Sequence, residues 1–234
     1  MRFTSITDKG SQDINQDYFA RVCRNGIYCF VMADGGGMGG EEASKTVAQA
    51  IISEFEKEPM LTREKASDCV EAAKEALDDF IEKDDFYKEI YTAVAVVLID
   101  GKKAVTAHIG DVRVYELSKG LVSSITNDHT EAVQKFEAGE IQFDEIRTYK
   151  KNKYTKIINS KYDFQPEINE FAVNAKTALL ICTSGFWRKI TEKEIEEALS
   201  TAQSSKEWLA AMLHIIEKKL GTECQNMTAL AAIM

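Results

Sequence analysis

The sequence predicts an α+β protein in which helices bunch between groups of hairpin-paired strands. Strand-like runs come as neighbours joined by turn dipeptides, Asn25-Gly26 and Asp100-Gly101 among them. Helical periodicity is gathered into 41–83 and 191–220 rather than alternating with every strand, which disfavours a doubly wound parallel sheet. Only two prolines occur, Pro59 and Pro166, and no Ser/Gly-rich linker divides the 234 residues. One domain over 1–234 is therefore expected.

The first hairpin joins Asp17–Cys23 to Ile27–Met32. Helices follow over 41–58, with Ala43, Val47, Ile51 and Phe55 on one face, and over 63–83, with Ala66, Val70, Ala73, Leu77 and Phe80. TAVAVVLI, KKAVTAHI and VRVYEL read as a three-stranded meander, and Ser118-Lys119-Gly120 turns into LVSSIT. Residues 130–164 are polar and irregular, an excursion over the main body. INEFAV and TALLICT resume the strands, helices follow near 191–200 and 205–220, and MTALAAIM is a last strand.

The chain has 38 acidic against 29 basic residues, a formal charge of −9, which argues against nucleic acid as a partner. The basic run KKNKYTK at 150–156 reads as solvated surface. No apolar run approaches membrane-span length and the polar start MRFTSITDKG is no signal peptide, so the expected location is the cytoplasm, with no membrane partner. The five cysteines make no close metal-binding pair and read as free thiols of a reducing compartment.

The sharpest local signal is VMADGGGMGGEEAS, 31–44. As a triphosphate loop it fails on charge, because Glu41 and Glu42 stand where Lys and Ser/Thr should follow Gly40. As a G-x-G-x-x-G dinucleotide loop it lacks a second strand bearing the ribose-binding acid, since Glu54 and Glu56 continue a helical pattern. Taken alone it is a tight strand-to-helix turn. The reading that uses its acids is a hard-cation site, with Asp34 at a strand's end and glycines that let backbone carbonyls approach a ligand.

Partners for Asp34 come from motifs along the chain. ITDKGSQDINQDYF, VMADGGGMGGEEAS, HIGDVRVYEL, ITNDHT, TSGFWRKITEKEI and CQNMTALAAIM follow one another in the order found in the metal-dependent protein phosphatases of the 2C type, which the chain resembles over nearly its whole length. The segment 137–160 is similar to the flap of bacterial members. The resemblance implies a four-layer α/β/β/α sandwich of two antiparallel sheets, with a flap-like excursion at about 130–164. It also implies Mn²⁺ or Mg²⁺ as cofactor and phosphoserine or phosphothreonine in proteins as substrate. Carried over, Asp34 is the bridging carboxylate, Gly35 offers a carbonyl, Asp17 binds directly or through water, and Asp111 serves an accessory ion. Catalysis is thereby assigned to Asp17 and Asp34.

The departures fall on the chemistry. Ser184 and Gln225 stand where the family has aspartates, Arg188 replaces a further aspartate, and Gln12 replaces the arginine that grips the substrate phosphate. Glu223, two residues before Gln225, is a candidate for compensation by a shift in register. At most one ion is expected, and turnover is expected to be weak or lost. The alternative is a pseudophosphatase, a regulatory module that binds a protein partner or phosphopeptide without turning it over.

Overall fold

The computed structural model describes residues 1–149, 153–159, 161, 165–221 and 224–234. Along the chain run β1 (Arg2–Asp8), β2 (Asp17–Arg24), β3 (Ile27–Gly36), α1 (Gly40–Lys57), α2 (Arg63–Ile81), β4 (Tyr91–Ile99), β5 (Lys103–Ile109), β6 (Arg113–Ser118) and β7 (Leu121–Ile125). After these come α3 (Glu131–Glu137), β8 (Glu167–Ala172), β9 (Thr177–Cys182), α4 (Ser184–Trp187), α5 (Glu192–Thr201), α6 (Ser205–Glu217) and β10 (Met227–Ile233). Among the described residues the strands form two antiparallel five-stranded sheets, ordered β1-β10-β9-β6-β7 and β2-β3-β4-β5-β8.

Strand alternation sorts the side chains into layers. Phe30, Met32, Ala95 and Val97 of the β3 sheet meet Val114, Leu179, Ile181 and Leu230 of the β9 sheet in a core between the sheets. The opposite face of the β3 sheet, with Val31, Val94 and Val96, is covered by Val47, Ile51, Phe55, Val70 and Leu77 of α1 and α2. Trp187, Trp208 and Met212 cover the outer face of the β9 sheet with α5 and α6. The four-layer α/β/β/α sandwich is therefore present as expected. The central strands of both sheets are buried on both faces, which explains why they read as continuous apolar runs. Helix starts are set locally: Thr62 accepts from the Lys65 amide at 3.1 Å, and Thr191 with Glu194 forms a capping box.

Two local readings change. β1 was not marked by its sequence, because it is a mostly exposed edge strand anchored to β10 with few apolar residues. The expected meander ends at β5: β6 crosses to the other sheet and pairs with β9 and β7. The crossing turns at Gly110, with φ 91, where a Cβ would meet the Ala93 side chain at 2.4 Å. β3 pairs antiparallel with β2 and β4, so no parallel βαβ unit follows the glycine loop and the dinucleotide reading has no fold to stand on. Glu223 and part of the 150–156 basic run lie outside the described residues. No described helix is long and apolar enough to cross a membrane.

Candidate active site

The β2–β3 register sets Asp17 directly opposite Asp34, which places both carboxyls on the inward face at one end of the sandwich. Asp34 continues the row Phe30, Met32, so the strand that fills the core also delivers the acid to its open end. Gly35 follows it against the start of α1, and a Cβ there would strike the Gly40 carbonyl oxygen at 2.0 Å. Thr92 of β4 donates to the Asp34 carbonyl at 3.1 Å.

The β9 sheet supplies the other wall. Thr183 donates through Oγ1 to Asp17 Oδ2 at 2.8 Å, and its oxygen accepts from the Thr228 amide at 3.0 Å. Ser184 donates to Asp34 Oδ2 from its hydroxyl at 2.9 Å and from its amide at 3.3 Å. Asn226 ties the opening loop down, accepting from the Gln16 amide at 2.9 Å and donating to the carbonyls of Lys9 and Ile14. A cleft of about 460 Å³ opens here, with Gln12, Asp34, Gly35, Tyr91, Tyr154, Ser184 and Gln225 among its walls. The Gln12 side chain is exposed and donates to the Cys224 carbonyl at 3.3 Å. Gln225 is exposed on the segment packed against Gly185.

Asp111 sits at the crossing between sheets. His129 clamps the preceding turn: its amide donates to the Gly110 carbonyl at 2.9 Å and its Nδ1 accepts from the Gly110 amide at 3.1 Å. Arg113 makes a buried bidentate pair with Asp128, both bonds 2.8 Å, and lies 3.6 Å from the Trp187 ring centroid. Trp187 Nε1 in turn donates to the Asp111 carbonyl at 2.8 Å. The sequence stretches GDVR, NDHT and SGFW thus form one scaffold that aims Asp111. His108, His129 and Glu167 also gather their potential ligand atoms within 4.8 Å. Because His129 Nδ1 accepts a backbone bond, neutral His129 carries its proton on Nε2, facing Glu167 at 3.8 Å, so His129 serves the turn as a clamp, while His108 bonds the Asn127 carbonyl through Nε2 and keeps a buried Nδ1 with no hydrogen-bond partner among the described residues.

Burial and mutual repulsion raise all three carboxyls of the cluster. Burial pushes Asp17 up to about 6. Burial and then the Asp17 charge push Asp34 to about 7. Burial and then the charges of Asp34 and Asp128 do the same to Asp111, also to about 7. Asp17 Oδ1 is buried with no hydrogen-bond partner. An unpaired carboxyl oxygen beside a glycine backbone suits a hard divalent cation.

The Protein phosphatase 2C family model matches residues 8–232. The chain belongs to the protein phosphatase 2C family. Protein phosphatase PhpP of Streptococcus pneumoniae is 25% identical to this 2C-type chain over 214 residues, 86% of this chain and 85% of that protein. Serine/threonine protein phosphatase PstP of Mycobacterium tuberculosis is 24% identical over 206 residues, 85% of this chain and 39% of that protein. Among solved structures, Serine/threonine phosphatase Stp1 from Staphylococcus aureus superposes with a TM-score of 0.90 at 23% identity, covering 99% of this chain and 94% of that one. The catalytic domain of PstP in complex with two manganese ions gives a TM-score of 0.84 at 23% identity, covering 99% and 97%.

The structure brings Asp17, Asp34, Gly35, Asp111, Ser184 and Arg188 to one end of this 2C-type sandwich, with Gln12 and Gln225 at the rim of the cleft. Two residues of the site carry no signal in the sequence: Thr183, which orients Asp17 and stands next to Ser184, and Tyr154, which donates to Asp111 from a stretch that reads as basic surface.

Proposed function

We propose that this 2C-type chain receives phosphoserine or phosphothreonine of a protein partner in the cleft, holds at most one Mn²⁺ or Mg²⁺ there, and turns the substrate over weakly or not at all. The observation that carries this is the Ser184 hydroxyl donating to Asp34 Oδ2, at a position where the resemblance expects an anionic ligand. The ion would be held by Asp17, Asp34 and the Gly35 carbonyl, and when bound it supplies Lewis acidity and neutralises phosphoryl charge.

The residues themselves do less than a full site needs. Asp34 has one oxygen occupied by two donors, so its ability to share charge is reduced. Thr183 fixes Asp17 in place. At the rim, the Gln12 amide offers one neutral donor where a guanidinium would clamp a phosphate bidentately. The alternative, a regulatory module that binds without turnover, rests on the same departures. The buried, free thiols Cys29, Cys69 and Cys182 support a reducing compartment, in keeping with the cytoplasm.

Hydrolysis of a phosphothreonine peptide and of p-nitrophenyl phosphate in Mn²⁺ tests the proposal. The expected rate is little above a metal-free blank. Robust turnover that Asp34→Asn abolishes would overturn the attenuated site, while binding of the phosphopeptide with no turnover would select the alternative.

A further inference from the structure

Asp111 has both carboxyl oxygens engaged by side chains of its own chain. The Tyr154 hydroxyl donates to Oδ1 at 3.0 Å, and the Arg188 guanidinium stands 3.8 Å from Oδ2. Arg188 is held there by the Trp187 ring, 4.9 Å from its centroid, and Trp187 is itself bonded to the Asp111 carbonyl. Burial and the charges of Asp111 and Asp34 push the Tyr154 phenol well above its ordinary range, so it stays a donor.

Tyr154 belongs to the excursion that leaves β7 and returns at β8, and it lines the cleft with its ring against Tyr91, 5.7 Å between centroids. The excursion is fastened on either side of it. Thr155 donates its amide to the His129 carbonyl at 2.9 Å, and Ile158 exchanges two backbone bonds with Thr92. Further back, Arg147 donates to the carbonyls of Trp187 and Ile190 and to Glu192. The Trp187 neighbourhood thus meets the excursion twice, through Arg147 directly and through Arg188 and Asp111 to Tyr154.

For Asp111 to ligate a divalent ion it would have to share with that ion a carboxylate already accepting from Tyr154 and paired with Arg188, and admit a second cation beside a guanidinium, where like charges repel at short range. We infer that Asp111 is the latch that fastens the excursion onto the cleft, with Arg188 as its permanent counter-charge, in place of an accessory metal site. Tyr154 and Arg188 are then positioning residues: they set the aromatic wall of the cleft without touching the reacting atoms. This rests on the proposal that the single ion sits on Asp17, Asp34 and Gly35.

The test pairs Mn²⁺ calorimetry with amide exchange on the full chain, folding being checked by circular dichroism. Asp111→Asn is expected to keep the wild-type number of bound Mn²⁺ ions with an affinity within about threefold, the loss of one neighbouring charge. Tyr154→Phe is expected to speed exchange at the Thr155 and Ile158 amides by about tenfold, through easier local opening, while leaving the β3 and β4 amides unchanged. Arg188→Asp, which frees Asp111 of its guanidinium and adds an acid, is expected to bind one further Mn²⁺. Loss of a bound ion in Asp111→Asn, or unaltered exchange in Tyr154→Phe, overturns the latch. A wild-type chain that binds no Mn²⁺ refutes the half-site on Asp17, Asp34 and Gly35 instead, and the exchange comparison still decides the latch.

Discussion

Ser184 Oγ lies 2.9 Å from Asp34 Oδ2 and spends its proton on that oxygen, with the Ser184 amide aimed at the same atom. A residue at the position of an expected metal ligand is therefore a donor to another ligand. Two roles for the hydroxyl are separable by experiment. If it competes with the ion for Asp34, then Ser184→Ala removes a bond worth about 1 kcal/mol and raises Mn²⁺ affinity severalfold. If it ligates the ion through its oxygen, the same change weakens binding. We expect the first outcome, with a calorimetric stoichiometry of at most one that Asp34→Asn abolishes.

The pH dependence of stability follows from the raised carboxyls. Asp17, Asp34 and Asp111 bind protons in the folded chain near 6 to 7, whereas their ordinary value is 3.8. Between pH 8 and 6.5 the folded state takes up protons that the unfolded state does not, so stability rises as pH falls through this window. Most acid-sensitive proteins trend the other way. Thermal melts of the metal-free chain should show Tm increasing from pH 8 to 6.5, and Asp34→Asn should flatten the slope. A melting temperature that falls steadily over that window would mean that the cluster is not buried and mutually repelling as described.

The Arg113–Asp128 pair supplies a stability prediction. Both side chains are almost fully buried and share two 2.8 Å bonds, and Arg113 also donates to the Tyr115 hydroxyl. Removing one partner strands the other, so Asp128→Ala should cost about 3–5 kcal/mol. For a chain of this size that is a Tm loss of about 6–20 °C. Chemical denaturation checks the magnitude, and a loss under about 1 kcal/mol would indicate that water reaches Arg113.

Much of this architecture was legible. α1 and α2 were marked by apolar residues at helical spacing, and Ala43, Val47, Ile51 and Phe55 are all fully buried as that spacing requires. The β2–β3 and β4–β5 hairpins were marked by Asn25-Gly26 and Asp100-Gly101. What stayed hidden was which sheet a strand joins. β4, β5, β6, β9 and β10 are buried on both faces, so their alternation carries no information about partners, and the crossing at Gly110 looks like any other turn. At the site, acids at strand ends could be found by residue type. Thr183 and Tyr154 could not, because a threonine just past a strand and a tyrosine in a basic run are common, and only the fold sets them against Asp17 and Asp111.

The scaffold should accept a fuller metal shell. The turn at Ser184 and Gly185 packs against Gln225 and Asn226: a Cβ on Gly185 would meet the Asn226 carbonyl at 2.0 Å and the Gln225 Cβ at 3.3 Å. Positions 184 and 225 therefore share one wall of the cleft, beside Asp34. In Ser184→Asp with Gln225→Asp, two anionic oxygens join the shell and the hydroxyl that occupied Asp34 Oδ2 is gone, so Mn²⁺ affinity should rise by about two orders of magnitude. Without metal the added charges repel Asp17 and Asp34, and the melting temperature should drop; with Mn²⁺ it should recover, because the ion binds only the folded state. Turnover should gain less than affinity, since Gln12 still leaves the phosphate without a guanidinium. Adding Gln12→Arg should then act mainly on KM if that contact serves ground and transition states alike. A double variant that folds, melts as the parent does with and without Mn²⁺, and binds no more of it would show that 184 and 225 do not face the ion. The half-site on Asp34 and Gly35 would then have to be completed from another wall of the cleft.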